Sequence, residues 1–126
     1  LDWISGIQKA VDYVEANITE ELNFYEIAMQ AYSSSFHFQR VFSILCGFTL
    51  GDYIRMRRLT LAGNELVATD TRILDIALKY GYDTQESFSR AFTRFHGVSP
   101  SQARSGANLK SFSRLSVKLI LDGGNT

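Results

Sequence analysis

Apolar side chains recur along this chain at three- and four-residue spacing, and each run is closed by residues that start or stop a helix. Ile4, Ile7, Val11 and Val14, with Trp3 and Ala10 beside them, predict a helix over 3–17, ended by Asn17 before the polar turn Thr19-Glu20-Glu21. Asn23 reads as an N-cap with Glu26 as its capping-box partner. It opens a short helix over 24–31 that buries Ile27, Ala28 and Ala31. After a turn at Tyr32-Ser33, with Ser33 as cap, a helix over 34–46 turns Phe38, Val41, Phe42 and Leu45 inward. Its outer face is Ser35, Phe36, Gln39, Arg40 and Ser43, and Gly47 stops it. Thr49-Leu50-Gly51-Asp52 is a further capping box, opening a long helix to residue 67 with Tyr53, Ile54, Leu59, Ala62 and Leu66 inward. At 1.5 Å per residue this helix is roughly 27 Å long. Gly63 inside it is worth about 1 kcal/mol less than Ala, unless packing requires the small residue.

The pattern then repeats. A helix over 73–80 buries Ile73, Ile76 and Ala77, and Gly81-Tyr82-Asp83 forms a turn in which Gly81 supplies a positive φ. Asp83 is the expected cap of a helix over 84–96, with Glu86 as its partner. That helix buries Phe88, Ala91, Phe92 and Phe95, exposes Gln85, Glu86, Ser89, Arg90 and Thr93, and is stopped by Gly97. Ser99-Pro100-Ser101-Gln102 opens a last short helix, with Pro100 at its favoured first position. Glu26-Ile27-Ala28, Phe38, Arg40, Phe42, Gly47 and Thr49 thus return as Asp75-Ile76-Ala77, Phe88, Arg90, Phe92, Gly97 and Ser99. The offset is 49 before the turn and 50 after it, so one turn is a residue longer. Two copies of helix, tight turn and second amphipathic helix predict an all-α chain with two helix-turn-helix units.

Composition changes this picture little. Of 126 residues, 45% are hydrophobic and 21% charged, the proportions of an ordinary soluble globular protein. No run approaches the ~20 apolar residues of a membrane span, and no signal-peptide pattern opens the chain. The first residue is Leu1 and not Met, which fits a fragment or a processed chain. A single cysteine, Cys46, rules out an internal disulfide, fits a reducing cytoplasm, and reads as a buried structural thiol.

Net charge is zero, which alone argues against nucleic acid, but its distribution argues for it. Residues 1–26 carry six acids against one base, Lys9. Residues 35–114 carry eleven bases against six acids, so the positive charge lies with the two repeated units. A helix in the major groove needs long side chains with paired donors and acceptors. Arg reads guanine O6 and N7, and Gln reads adenine N6 and N7. Gln39 and Arg40 offer these in the first unit, Gln85 and Arg90 in the second, and Phe36 can pack on a thymine methyl. Ser33, Ser35, Thr84 and Ser87 can hold phosphates, which position a protein without reading sequence. Arg55, Arg57, Arg58, Arg94 and Arg104 are candidates for DNA-backbone contacts or for ion pairs. Glu86 either accepts from cytosine N4 or caps its own helix, and the cap is the favoured reading. His37 and His96 have no Cys or acidic partner at ligand spacing, no catalytic triad or phosphate-binding loop is present, and neither a metal nor any other cofactor is expected. The chain is read as no enzyme.

The stretch Asp75-Ile76-Ala77-Leu78-Lys79-Tyr80-Gly81-Tyr82, Ser87-Phe88-Ser89-Arg90-Ala91-Phe92, then Phe95-His96-Gly97-Val98-Ser99-Pro100 resembles the signature of the AraC/XylS family of bacterial transcription regulators. The first unit and the run Tyr53-Ile54, Arg58-Leu59, Ala62 match it as well, so the resemblance covers residues 3–105. It implies a seven-helix DNA-binding domain, two homeodomain-like helix-turn-helix units bridged by a long helix. It also implies that the recognition helices enter successive major grooves about one turn (~34 Å) apart. By position, the family's base-reading residues fall on Phe36, Gln39 and Arg40, and on Gln85, Glu86 and Arg90. Phe36 stands where some members have Trp, and Glu86 and the neutral net charge depart from the more basic members.

The expected organisation is a first unit over 1–48, a linker helix over 49–67, a second unit over 68–106, and a linker with the start of an absent domain over 107–126. Within that tail, 106–112 reads as linker and 116–121 as a β-rich strand. The tail resembles the junction to a GyrI-like effector-binding domain, so a small-molecule effector would act only through a domain this chain lacks. The partners expected are double-stranded DNA and RNA polymerase, with no membrane. The function expected is sequence-specific regulation of transcription, as an activator in the cytoplasm. The rival is a helical protein-interaction module that grips the transcription machinery.

Overall fold

The computed structural model describes residues 2–116. Among them the chain forms seven helices and no strand: α1 (Trp3–Ala16), α2 (Phe24–Met29), α3 (Ser35–Cys46), α4 (Leu50–Ala68), α5 (Ile73–Lys79), α6 (Gln85–His96) and α7 (Pro100–Arg104). The β-rich stretch expected at 116–121 lies, beyond its first residue, outside the described residues. The described helices fall into two compact units, one of residues 2–54 with 114–116, the other of residues 55–113. The long helix α4 gives its first turn to the first unit and the remainder to the second.

In the first unit α1 buries Ile7, Ala10, Val11 and Val14, the stripe its spacing predicts, and Asp2 caps it by accepting from the Ser5 amide at 2.7 Å. Asn23 caps α2 as expected, accepting from the amides of Tyr25 and Glu26. Phe38, Phe42, Phe48 and Tyr53 follow one another at ring-centroid distances of 6.0–6.2 Å. Phe38, Phe42 and Tyr53 are fully buried, each contributing about 1.5–3 kcal/mol by leaving water. Val41 and Leu45 are only half-buried, so the inward face of α3 is narrower than its spacing implies. The Tyr53 hydroxyl is satisfied inside this core: it donates to Glu15 Oε2 at 2.9 Å and accepts from the Leu115 amide at 3.0 Å.

The second unit repeats the design around Phe88 and Phe92, packed on Leu59, Ala62 and Leu66 of α4, Ile76 and Ala77 of α5, and Ala103 of α7. Ile73, Ala91 and Phe95 pack at its margin, only partly buried. Here the aromatic row ends on a histidine. His96 lies 4.2 Å from the Phe92 ring, is 5% exposed, and places Nε2 2.8 Å from the Leu59 carbonyl. Its Nδ1 accepts from the Lys110 amide at 3.1 Å. Gly63 fits this arrangement closely, since a Cβ there would meet Leu109 Cδ1 at 2.9 Å and the His96 ring at 3.2 Å. The stretch read as linker is therefore held: besides Lys110, the Phe112 amide donates to Thr60 Oγ1 and the Phe112 carbonyl accepts from Arg57.

Candidate nucleic-acid interface

Each repeated unit closes its turn in the same way. The Ser33 amide bonds back to the Ala28 carbonyl and the Tyr82 amide to the Ala77 carbonyl. Both turns need one left-handed residue: Gly81 at φ 91° in the second and Tyr32 at φ 54° in the first. A tyrosine there costs on the order of 1–2 kcal/mol that glycine does not. The recognition helices α3 and α6 then start one residue later than the sequence suggests. The caps are Ser34, accepting from the His37 amide, and Thr84, accepting from the Ser87 amide; they are not Ser33 and Asp83. In the first unit Ser33 is still closing the preceding helix, so capping passes to Ser34; in the second unit Tyr82 does the closing, at the position equivalent to Ser33. Asp83 is the extra residue of the second turn. With the cap at Thr84, Glu86 is no capping-box partner; it stands exposed in the first turn of α6, where the helix dipole favours an acid.

The outer faces carry the expected groups. On α3, Phe36 is 76% exposed and Arg40 is exposed, while Gln39 is half-buried and donates to Ser35 Oγ at 3.0 Å. Phe36, Gln39, Arg40 and Ser43 line one shallow groove. On α6, Gln85, Glu86 and Arg90 are exposed together. Arg40, Gln85, Glu86 and Arg90 form no side-chain hydrogen bond or ion pair among the described residues, so their polar ends face solvent.

The hydroxyls and arginines expected at the DNA backbone divide. Ser33 is half-buried and donates to the Ser34 carbonyl, Ser35 accepts from Gln39, and Thr84 and Ser87 bond each other at 2.9 Å. Arg55 and Arg94, both exposed, line one recess of the second unit with Met56, Ala91 and Phe95. Arg58 lies half-buried against the second turn, its Nη1 3.1 Å from where a Gly81 Cβ would stand. Burial pulls its guanidinium below the ordinary value, while the Tyr82 phenol raises it. Two other arginines are structural. Arg57 donates to the Phe112 carbonyl at 2.6 Å, and Arg104 donates to the carbonyls of Leu66 and Thr69 at the end of α4. Cys46, at the end of α3, is half-buried and not fully buried as read, and burial pushes its thiol up to about 11. No helix among the described residues is long and apolar enough to cross a membrane.

Residues 27–106 match the family model described as a helix-turn-helix domain. The chain is 41% identical over 100 residues to the HTH-type transcriptional activator AarP of Providencia stuartii, covering 79% of this chain and 74% of that protein. It is 41% identical over 98 residues to the regulatory protein SoxS of Escherichia coli strain K12, covering 78% of this chain and 92% of that one. Among solved structures, it is similar to a transcriptional regulator with an AraC-type DNA-binding domain from Chromobacterium violaceum, at TM-score 0.75 and 28% identity, covering 79% of this chain and 89% of that chain. With its doubled helix-turn-helix, two capped recognition helices and these relatives, the chain belongs to the AraC-type helix-turn-helix family of DNA-binding transcription regulators.

Proposed function

We propose that this chain activates bacterial transcription by reading a bipartite duplex site, α3 taking one half and α6 the other. The observation that carries the assignment of residues is that Arg40 and Arg90 occupy equivalent repeat positions, both exposed and both without an intramolecular partner among the described residues. In the first half Phe36, Gln39 and Arg40 meet base edges. In the second Gln85, Glu86 and Arg90 do, Glu86 accepting from cytosine N4 now that it has no capping duty. Ser33, Ser35, Arg55, Arg58, Thr84, Ser87 and Arg94 hold phosphates; the hydroxyls exchange their internal bonds for phosphate oxygens. Activity on chromosomal DNA places the protein in the cytoplasm. Contact with RNA polymerase fits exposed apolar pairs at one-turn spacing and equivalent repeat positions, Tyr25 and Met29 on α2, Leu74 and Leu78 on α5.

Selection of random duplex DNA by the purified chain tests this reading. The expected product is a bipartite motif. Arg40→Ala should weaken binding by about 1–3 kcal/mol and relax one base pair of one half. Arg90→Ala should do the same in the other half. Equal losses on selected and random duplex would make either arginine a backbone contact, and absence of any enriched motif would overturn sequence reading by this chain.

A further inference from the structure

The two turns are copies of one design, yet they treat their left-handed position differently. In the second unit it is Gly81, and the Arg58 guanidinium fills the space a side chain would need. In the first unit it is Tyr32, 82% exposed at φ 54°. Burial does not offset the strain of that conformation. The Tyr32 hydroxyl has no hydrogen-bond partner, and its ring no aromatic partner, among the described residues. A glycine would serve the fold as well, as the second turn demonstrates. Strain held by an exposed side chain with no internal return points to use outside the molecule.

We infer that Tyr32 is a DNA contact of the first half-site, its ring lying against the sugar-phosphate strand that flanks the groove entered by α3. This rests on the DNA-reading assignment of α3 given above. Position favours a strand over a protein partner. Tyr32 stands two residues before the Ser34 cap and four before Phe36, so its backbone is within about 14 Å of the first base-reading residue. The N-terminal residues of a recognition helix approach base edges while the helix before it crosses the DNA backbone, and Tyr32 lies between the two, after α2 and before α3. Tyr32 shares a cleft with Ser33, Ser34 and His37, whose polar groups suit an anionic strand, and with Trp3, against whose ring His37 packs edge-on at 5.4 Å. Asp2 also lines this cleft, but its carboxylate is engaged with the Ser5 amide. A phenol ring adds apolar area against deoxyribose and a donor for a phosphate oxygen, neither of which Gly81 can supply to the second half-site.

The test is Tyr32→Gly and Tyr32→Phe in the full chain, each measured for thermal midpoint and for affinity to the selected duplex and a random one. Tyr32→Gly should melt no lower than the parent, because it relieves the left-handed strain. It should nevertheless bind several-fold more weakly, by a similar factor on both duplexes, since a strand contact carries no sequence information. Tyr32→Phe isolates the hydroxyl and should keep part of the affinity. Unchanged affinity in Tyr32→Gly, with the parent binding normally, would overturn the inference and leave the residue to a protein partner. Weaker binding with a lower midpoint would overturn it too, as a folding effect. A parent chain that binds neither duplex would instead sink the DNA-reading assignment.

Discussion

Replacing His96 with Phe should remove a pH dependence from the second unit. The Leu59 carbonyl can only accept, so Nε2 carries the ring proton; Nδ1 accepts from the Lys110 amide. The neutral ring therefore satisfies both neighbours, and a second proton would set an N–H against the Lys110 N–H. Burial lowers the pKa of His96 below its ordinary 6.5, against a raising effect of the Leu59 carbonyl, and the Lys110 charge lowers it further. The unfolded chain thus binds a proton that the folded one resists. Stability is fully present above pH 6.5 and is lost as pH falls from there through the depressed folded value. The slope is at most about 1.4 kcal/mol per pH unit. The total is bounded by one stranded buried donor, on the order of 1–3 kcal/mol. For a unit the size of residues 55–113 each kcal/mol moves the melting temperature by about 4–8 °C. Circular-dichroism melts between about pH 5 and pH 7, with exchange of the Lys110 amide as local reporter, would show the wild type losing stability and protection with acid. His96→Phe, which keeps a ring beside Phe92 but cannot titrate, starts less stable and should stay flat through that window. Parallel profiles for the two proteins would refute the tautomer assignment.

Gly63→Ala gains about 1 kcal/mol of helix propensity. The new methyl must displace Leu109 and press on an imidazole pinned at both nitrogens, so the net change in urea unfolding should be zero to about 2 kcal/mol unfavourable. Recovery of the whole propensity gain would show that the site has room. Arg104→Ala frees the carbonyls of Leu66 and Thr69 and should cost about 1–2 kcal/mol of stability. Its duplex affinity, measured well below the melting temperature, should match the parent; a drop comparable to that of Arg40→Ala would return Arg104 to the interface.

The fold was legible wherever one helix turn carries its own information. Gly47 and Gly97 are left-handed stops, Ser99 and Gln102 complete their capping box, and the five inward residues read on α4 are all buried. The cap of α3 falls one residue beyond the expected position because Ser33 and Ser34 are chemically alike. Only the closure of the preceding helix, the Ser33 amide on the Ala28 carbonyl, decides between them. The outward positions Phe36, Arg40, Gln85, Glu86 and Arg90 were readable as exposed, since helical periodicity assigns a face. The fates of Arg57, Arg104 and His96 were not. Their hydrogen bonds span 55, 38 and 37 residues, and no local pattern records where a long side chain ends. Tyr32 did leave a trace, since aligning the repeats sets it against Gly81.

Three of the bases that tilt the repeated region positive already have carboxylates of their own: Arg72 on Asp75, Lys79 on Glu65 and Arg114 on Asp12. Condensed counterions leave DNA only in proportion to the phosphates that free cations neutralise. A phosphate contact at any of these three would first have to displace its carboxylate, so the salt dependence of duplex affinity should report chiefly the other basic side chains.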